Sequence, residues 1–162
     1  MQNFYKKMNN NSQSGINLIE IIIVIAVIGI IVAVAVPQFL NIKKAQVLKN
    51  GAQDIFSTLN KARSQTLSSL DSSEYGVHFD SDEIVLFKGT SYSEESLDNE
   101  NLEIISPATI STISLTGGAD DVYFSRLSGS PSASGSITVS LTTDPDSTKI
   151  ITILSTGAIS VN

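Results

Sequence analysis

Ile21 to Val36 reads IIIVIAVIGIIVAVAV, sixteen consecutive residues without one polar side chain. Extended back to Ile16, the run holds twenty-one residues and is broken only by Asn17 and Glu20. As an α-helix at about 1.5 Å per residue it is roughly 31 Å long, close to the hydrocarbon thickness of a bilayer. The core helix of a soluble domain carries an apolar stripe. This run is apolar on every side and rich in β-branched residues, so it is expected to cross a membrane.

The rest of the 162-residue chain is polar enough to bring the whole to 41% hydrophobic. Residues 1–15, MQNFYKKMNNNSQSG, carry Lys6 and Lys7, no acid, and no helix or strand pattern. They read as a leader. Lys43, Lys44 and Lys49 follow the run, so flanking charge alone does not orient it. The short leader and the large acidic region downstream favour a cytoplasmic N-terminus and an outer C-terminal domain.

From residue 38 to 70 the period becomes that of an amphipathic helix. Ala45, Leu48, Ala52, Ile55, Leu59, Ala62 and Thr66 recur at alternating steps of three and four, which places them on one face. That face is expected to lie on the domain that follows. Pro37 removes an N–H and crowds the carbonyl of Ala33, and Gly29 weakens the helix further up. A kink or local melting is expected there.

Residues 71–162 are dominated by Ser, Thr, Gly, Asp and β-branched residues. Tyr75–Phe79 and Glu83–Lys88 flank the polar turn Asp80-Ser81-Asp82, which predicts a hairpin. Further strands are expected at Leu102–Ser106, Ile110–Leu115, Val122–Ser125, Ile137–Leu141, Ile150–Leu154 and Ala158–Val161. Asp144-Pro145-Asp146 and Ser155-Thr156-Gly157 read as turns, and 90–101 and 128–135 as exposed loops. The predicted architecture is α+β: one long N-terminal helix, membrane-spanning over 16–37 and amphipathic over 38–70, packed on a small antiparallel β head at 71–162.

Charge follows the same division. Residues 38–70 hold five cations against Asp54, a net +4, whereas residues 71–162 hold fourteen acids against Lys88, Arg126 and Lys149, a net −11. So acidic a head repels polyanions, and nucleic acid is not expected as a partner.

The junction at Gly15 carries the strongest functional signal. Glu20 is a carboxylate at the start of an apolar span, costly at the bilayer centre by about 2.5–3.5 kcal/mol and less near the interface. It is preceded by a polar basic leader ending in Gly15, with Glu20 the fifth residue after it. This arrangement resembles the class III signal of type IV pilins and type II secretion pseudopilins. The resemblance implies cleavage between Gly15 and Ile16 by prepilin peptidase on the cytoplasmic side, N-methylation of Ile16, and a role for Glu20 in subunit assembly. Gly29 and Pro37 fall where members of that family carry helix-loosening residues. Ile16 stands where Phe or Met is usual, and Asn17 where Thr is common. Within the family the order of helix, Tyr-Gly-Val-His-Phe strand and Ile-Thr-Ile-Leu-Ser-Thr-Gly-Ala-Ile-Ser-Val ending is most similar to H-type pseudopilins and FimT-like minor pilins.

The implied function is structural: a minor pilin or pseudopilin built into a type IV pilus-like or type II secretion filament. The implied partners are prepilin peptidase, other pilin or pseudopilin subunits, the inner-membrane assembly platform and the membrane itself. The implied location is a bacterial cytoplasmic membrane, then an envelope or surface filament. After cleavage the α-amino group of Ile16 would be a cation in apolar surroundings, and Glu20 of the same or a neighbouring subunit would neutralise it.

Two other readings stay open. One is a DNA-binding FimT-like minor pilin for DNA uptake. The other is a soluble β domain released from an ordinary signal peptide at Ala33-Val34-Ala35, starting at Val36. Catalysis is not expected. There is no cysteine and one histidine, and His78, set in a strand with Tyr75, Val77 and Phe79 on the other face, has no nucleophile motif beside it. The acidic stretches Asp80-Ser81-Asp82-Glu83 and Asp144-Pro145-Asp146 lack the twelve-residue calcium-loop pattern and read as solvated turns. Glu94, Glu95, Asp98, Glu100 and Glu103 read as a charged loop. No cofactor and no metal are expected.

Overall fold

The structure, a computed structural model, describes residues 17–162. The leader, Gly15 and Ile16 lie outside the described residues. The chain divides into two compact units, one ending at Leu40 and the other running Asn41–Asn162.

Helix α1 runs Leu18–Leu67, 50 residues, with Gly29 and Pro37 inside it. Neither residue melts it. Pro37 removes only one intrahelical N–H, and the bonds of the turns on either side hold the local conformation. In the first unit every described residue from Asn17 to Leu40 is exposed, as the all-round apolar pattern requires of a segment with no covering partner.

In the second unit α1 is the third layer of an α+β head with two antiparallel sheets. Its buried residues are Leu48, Gly51, Ala52, Ile55, Thr58, Leu59, Ala62 and Thr66. The expected stripe is therefore correct except for Ala45, which is exposed. Gly51 and Thr58 join the stripe because small side chains let the helix approach the sheets. A Cβ on Gly51 would already touch Ala108, Ile104 and Val139 at 3.6–3.7 Å.

The helix stops three residues earlier than its polarity predicts. Ser69 adopts a left-handed conformation, φ 53°, and a 3₁₀ turn follows at Leu70–Ser72. The buried Thr66 hydroxyl accepts the N–H of Tyr75 at 2.9 Å, which ties the helix end to the first strand.

The strands are β1 Tyr75–Phe79, β2 Glu83–Lys88, β3 Glu100–Glu103, β4 Ala108–Leu115, β5 Asp121–Phe124, β6 Gly135–Leu141, β7 Asp144–Ile153 and β8 Ile159–Val161. The first sheet has the order β3-β2-β1-β5 and the second β4-β6-β7-β8. The inner faces alternate as period two demands. Tyr75, Val77, Phe79, Ile84, Leu86, Val122 and Phe124 of the first sheet join Ile137, Val139, Ile151 and Ile153 of the second and the helix stripe in one core.

Three expectations are corrected. The third strand is Glu100–Glu103, not Leu102–Ser106, so Glu100 and Glu103 belong to a strand, not to a loop. It is an exposed edge paired only with β2, and Ile104 then turns inward to the core. The turn between β6 and β7 is Thr142-Thr143, and Asp144-Pro145-Asp146 lies within β7. There the register jumps from Ser140↔Thr148 to Leu141↔Asp144, so Pro145 sits in a bulge where its missing N–H costs no ladder bond. Finally, Gly135 is the first residue of β6, which shortens the expected 128–135 loop.

Candidate functional site

Of the residues singled out by sequence, Glu20 lies in the first turn of α1 and Gly29 and Pro37 lie further along it, while Gly15 and Ile16 lie outside the described residues. Asn17 precedes the helix and caps it. Its Oδ1 accepts the N–H of Ile19 at 3.4 Å, and its carbonyl accepts those of Glu20 at 2.9 Å and Ile21 at 3.3 Å. Glu20 is thus the third helical residue, at the positive end of the helix dipole. Sequence reasoning singled out Glu20 but missed Asn17 as the cap. The signal was present: Asn followed three residues later by Glu, just ahead of an apolar run, marks a helix start.

Behind this turn the apolar segment presents side chains in every direction. Leu18, Ile19, Ile22, Ile25, Ile30 and Val34 are all exposed. A Cβ at Gly29 would meet nothing within 4 Å. This is the one helix among the described residues long and apolar enough to cross a membrane, and it lies near the N-terminus. Glu20 is the only ionisable side chain from Leu18 to Ile42.

His78 projects from the outer face of the first sheet and stacks on Tyr92, ring centroids 4.0 Å apart and planes 6° from parallel. Phe87 lies beside the same tyrosine. With Val85 these rings form a small second core on the outer face of the first sheet, which accounts for Gly76. A side chain there would strike the Phe87 ring and come within 2.7 Å of the Val122 carbonyl. No group of acids and His is arranged to hold a metal ion among the described residues. A shallow hollow of about 840 Å³ on the second sheet is lined by Ser114, Thr116, Ser136, Thr152 and their neighbours. Its lining contributes hydroxyls and no ionisable side chain.

Two exposed ion pairs sit at the head surface, Lys61–Glu100 at 2.6 Å and Lys88–Asp71 at 3.0 Å. The Lys88 hydrogen bond and charge, with a hydrogen bond from the Tyr75 hydroxyl, hold the Asp71 carboxyl below its usual range. Burial pushes the Tyr75 hydroxyl up, helped by the Asp71 charge.

Fold and site together define an α+β protein with a long N-terminal helix, apolar and uncovered in its first half, and an all-β head packed on its second. Comparison with protein-family models, with curated proteins and with solved structures finds no match to this chain.

Proposed function

We propose that this chain is a structural subunit of a pilin-like filament, a minor pilin or H-type pseudopilin. It would be released from its leader by prepilin peptidase between Gly15 and Ile16 and methylated on Ile16. The observation that carries this reading is the apolar half of α1. It is a capped helix, uncovered among the described residues, with one carboxylate in its first turn. Such a segment first dissolves in a membrane and then packs with copies of its kind. On an otherwise featureless apolar helix, pairing between Glu20 and a free α-amino group sets the axial register. Removing one partner of a buried pair costs about 3–5 kcal/mol, enough to decide between registers.

The test is the mature N-terminus, read by mass spectrometry of membrane-extracted protein from the native host. A methylated Ile16 is the expected result. A chain beginning at Val36 would identify a head released from a signal peptide, and an intact Met1 a plain membrane anchor; either overturns the reading. A second measurement addresses Glu20. Glu20→Ala is expected to leave membrane insertion intact and to abolish recovery of the subunit in sheared filaments. Recovery at the unsubstituted level would remove the charge pair from the mechanism.

A further inference from the structure

Two leucines of the head stand fully in solvent, Leu97 at 102% and Leu127 at 89% relative exposure. Each lies in a loop, and the charges around them have opposite sign. Leu97 is set among Glu94, Glu95 and Asp98, none of which forms an ion pair among the described residues. Leu127 follows Arg126, which with Arg63 makes up the arginines of the chain. Neither arginine meets a carboxylate among the described residues. Arg63 Nε donates to the Gly129 carbonyl at 3.1 Å and Arg126 Nη1 to the Ser72 carbonyl at 2.9 Å. These bonds fasten the 125–130 loop to α1 and to the 3₁₀ turn after it; Leu67 lies against Gly129, and Leu67 and Leu70 are both exposed.

The backbone marks the same corner. The non-glycine residues with positive φ among the described residues are Ser69 at 53°, Asp71 at 49°, Ser72 at 54° and Leu127 at 69°. All four gather where Arg126 bridges the loop to the 3₁₀ turn. A left-handed leucine is strained, and such strain collects at functional positions. Leu127 gains no burial within its own chain to offset it.

We propose that this corner is a docking surface for the Leu97 loop of a second copy of this chain. Leu97 packs against Leu67, Leu70 and Leu127, and Glu94, Glu95 and Asp98 meet Arg63 and Arg126. Charge selects the occupant. Two heads, each Asn41–Asn162 with fifteen acids against eight cations and so net −7, repel each other, and the arginines without a carboxylate partner are where an acidic loop is drawn in. The leucines supply the apolar centre of the contact and the charges its rim. The contact uses head residues alone, so it stands independently of where the leader is cut.

The chain has no cysteine, which makes disulfide trapping clean. Differently tagged full-length Leu97→Cys and Leu127→Cys chains are mixed in a non-ionic detergent and mildly oxidised. The 97–127 disulfide is expected at least tenfold above a control pair of Leu97→Cys with Ser160→Cys, which places the thiol on an exposed residue of β8. Arg126→Glu on the Leu127→Cys chain is expected to bring the yield down to the control. Glu94→Arg with Glu95→Arg on the Leu97→Cys chain is expected to restore it, which a chain that had merely lost its fold could not show. Equal yields for the two pairs, or no restoration by the reversed partner, would overturn the proposal.

Discussion

The two halves of α1 differ in the amount and in the arrangement of their apolar side chains, 20 of 25 residues from Leu18 to Ile42 against 9 of 25 from Lys43 to Leu67, and meet opposite fates. From Leu18 to Ile42 the apolar residues occupy every direction around the helix, and none is covered. From Leu48 to Thr66 they occupy one stripe, and that stripe is buried against two sheets. Amount and angular distribution together decide where each half goes. A stripe can be satisfied by one sheet-lined surface, whereas a helix apolar all round needs an apolar solvent or a ring of similar helices.

The largest expected effect comes from deleting matched side chains on the two halves. Leu59, fully buried, is expected to cost the head about 2–5 kcal/mol as Leu59→Ala. Ile25→Ala is expected to leave head stability unchanged. Denaturant unfolding of the detergent-solubilised chain, followed by near-ultraviolet circular dichroism, checks both. A loss of head stability in Ile25→Ala would break the comparison.

Matched additions sharpen it at smaller amplitude. Gly51 already has neighbours at van der Waals distance from a virtual Cβ, whereas Gly29 has none. Gly51→Leu is expected to destabilise the head by about 1–3 kcal/mol through overpacking. Gly29→Leu is expected to be silent in the same unfolding experiment.

The smallest effect is electrostatic and confined to the head. The Asp71 carboxyl titrates below its usual range because Lys88 holds it ionised. Its folded pKa is thus depressed, so its stabilising contribution is present above the unfolded value and lost as pH falls through the folded one, below about pH 4. Asp71→Asn is expected to lower the thermal midpoint slightly at neutral pH, with the two proteins converging in acid. A constant difference at every pH would assign the effect to packing instead.

How much could be read beforehand varied by element. The helix stripe from Leu48 to Thr66 was legible because its period comes from one side of the helix packing on something large. The hairpin at Tyr75–Lys88 was legible because its alternation and polar turn agree. The strand at Glu100–Glu103 was not. Its residues are all exposed, so no alternation marks it, and only pairing with β2 makes it a strand. The bulge at Pro145 read as a turn because Asp-Pro-Asp serves either purpose locally. At the candidate site, Glu20 was conspicuous as a lone charge in an apolar run, while the cap at Asn17 needed the helix start to be known.

The sequence by itself determined the division into apolar helix, striped helix and β-rich head, and it singled out Glu20. These follow from local composition and period, which are properties of neighbouring residues. Only the tertiary structure decided which strands share a sheet, that Gly51 and Thr58 belong to the buried face, and that Ser69, Asp71, Ser72 and Leu127 meet at one corner. Those outcomes depend on contacts between residues far apart in the chain, such as Arg126 with Ser72, and no local pattern encodes them.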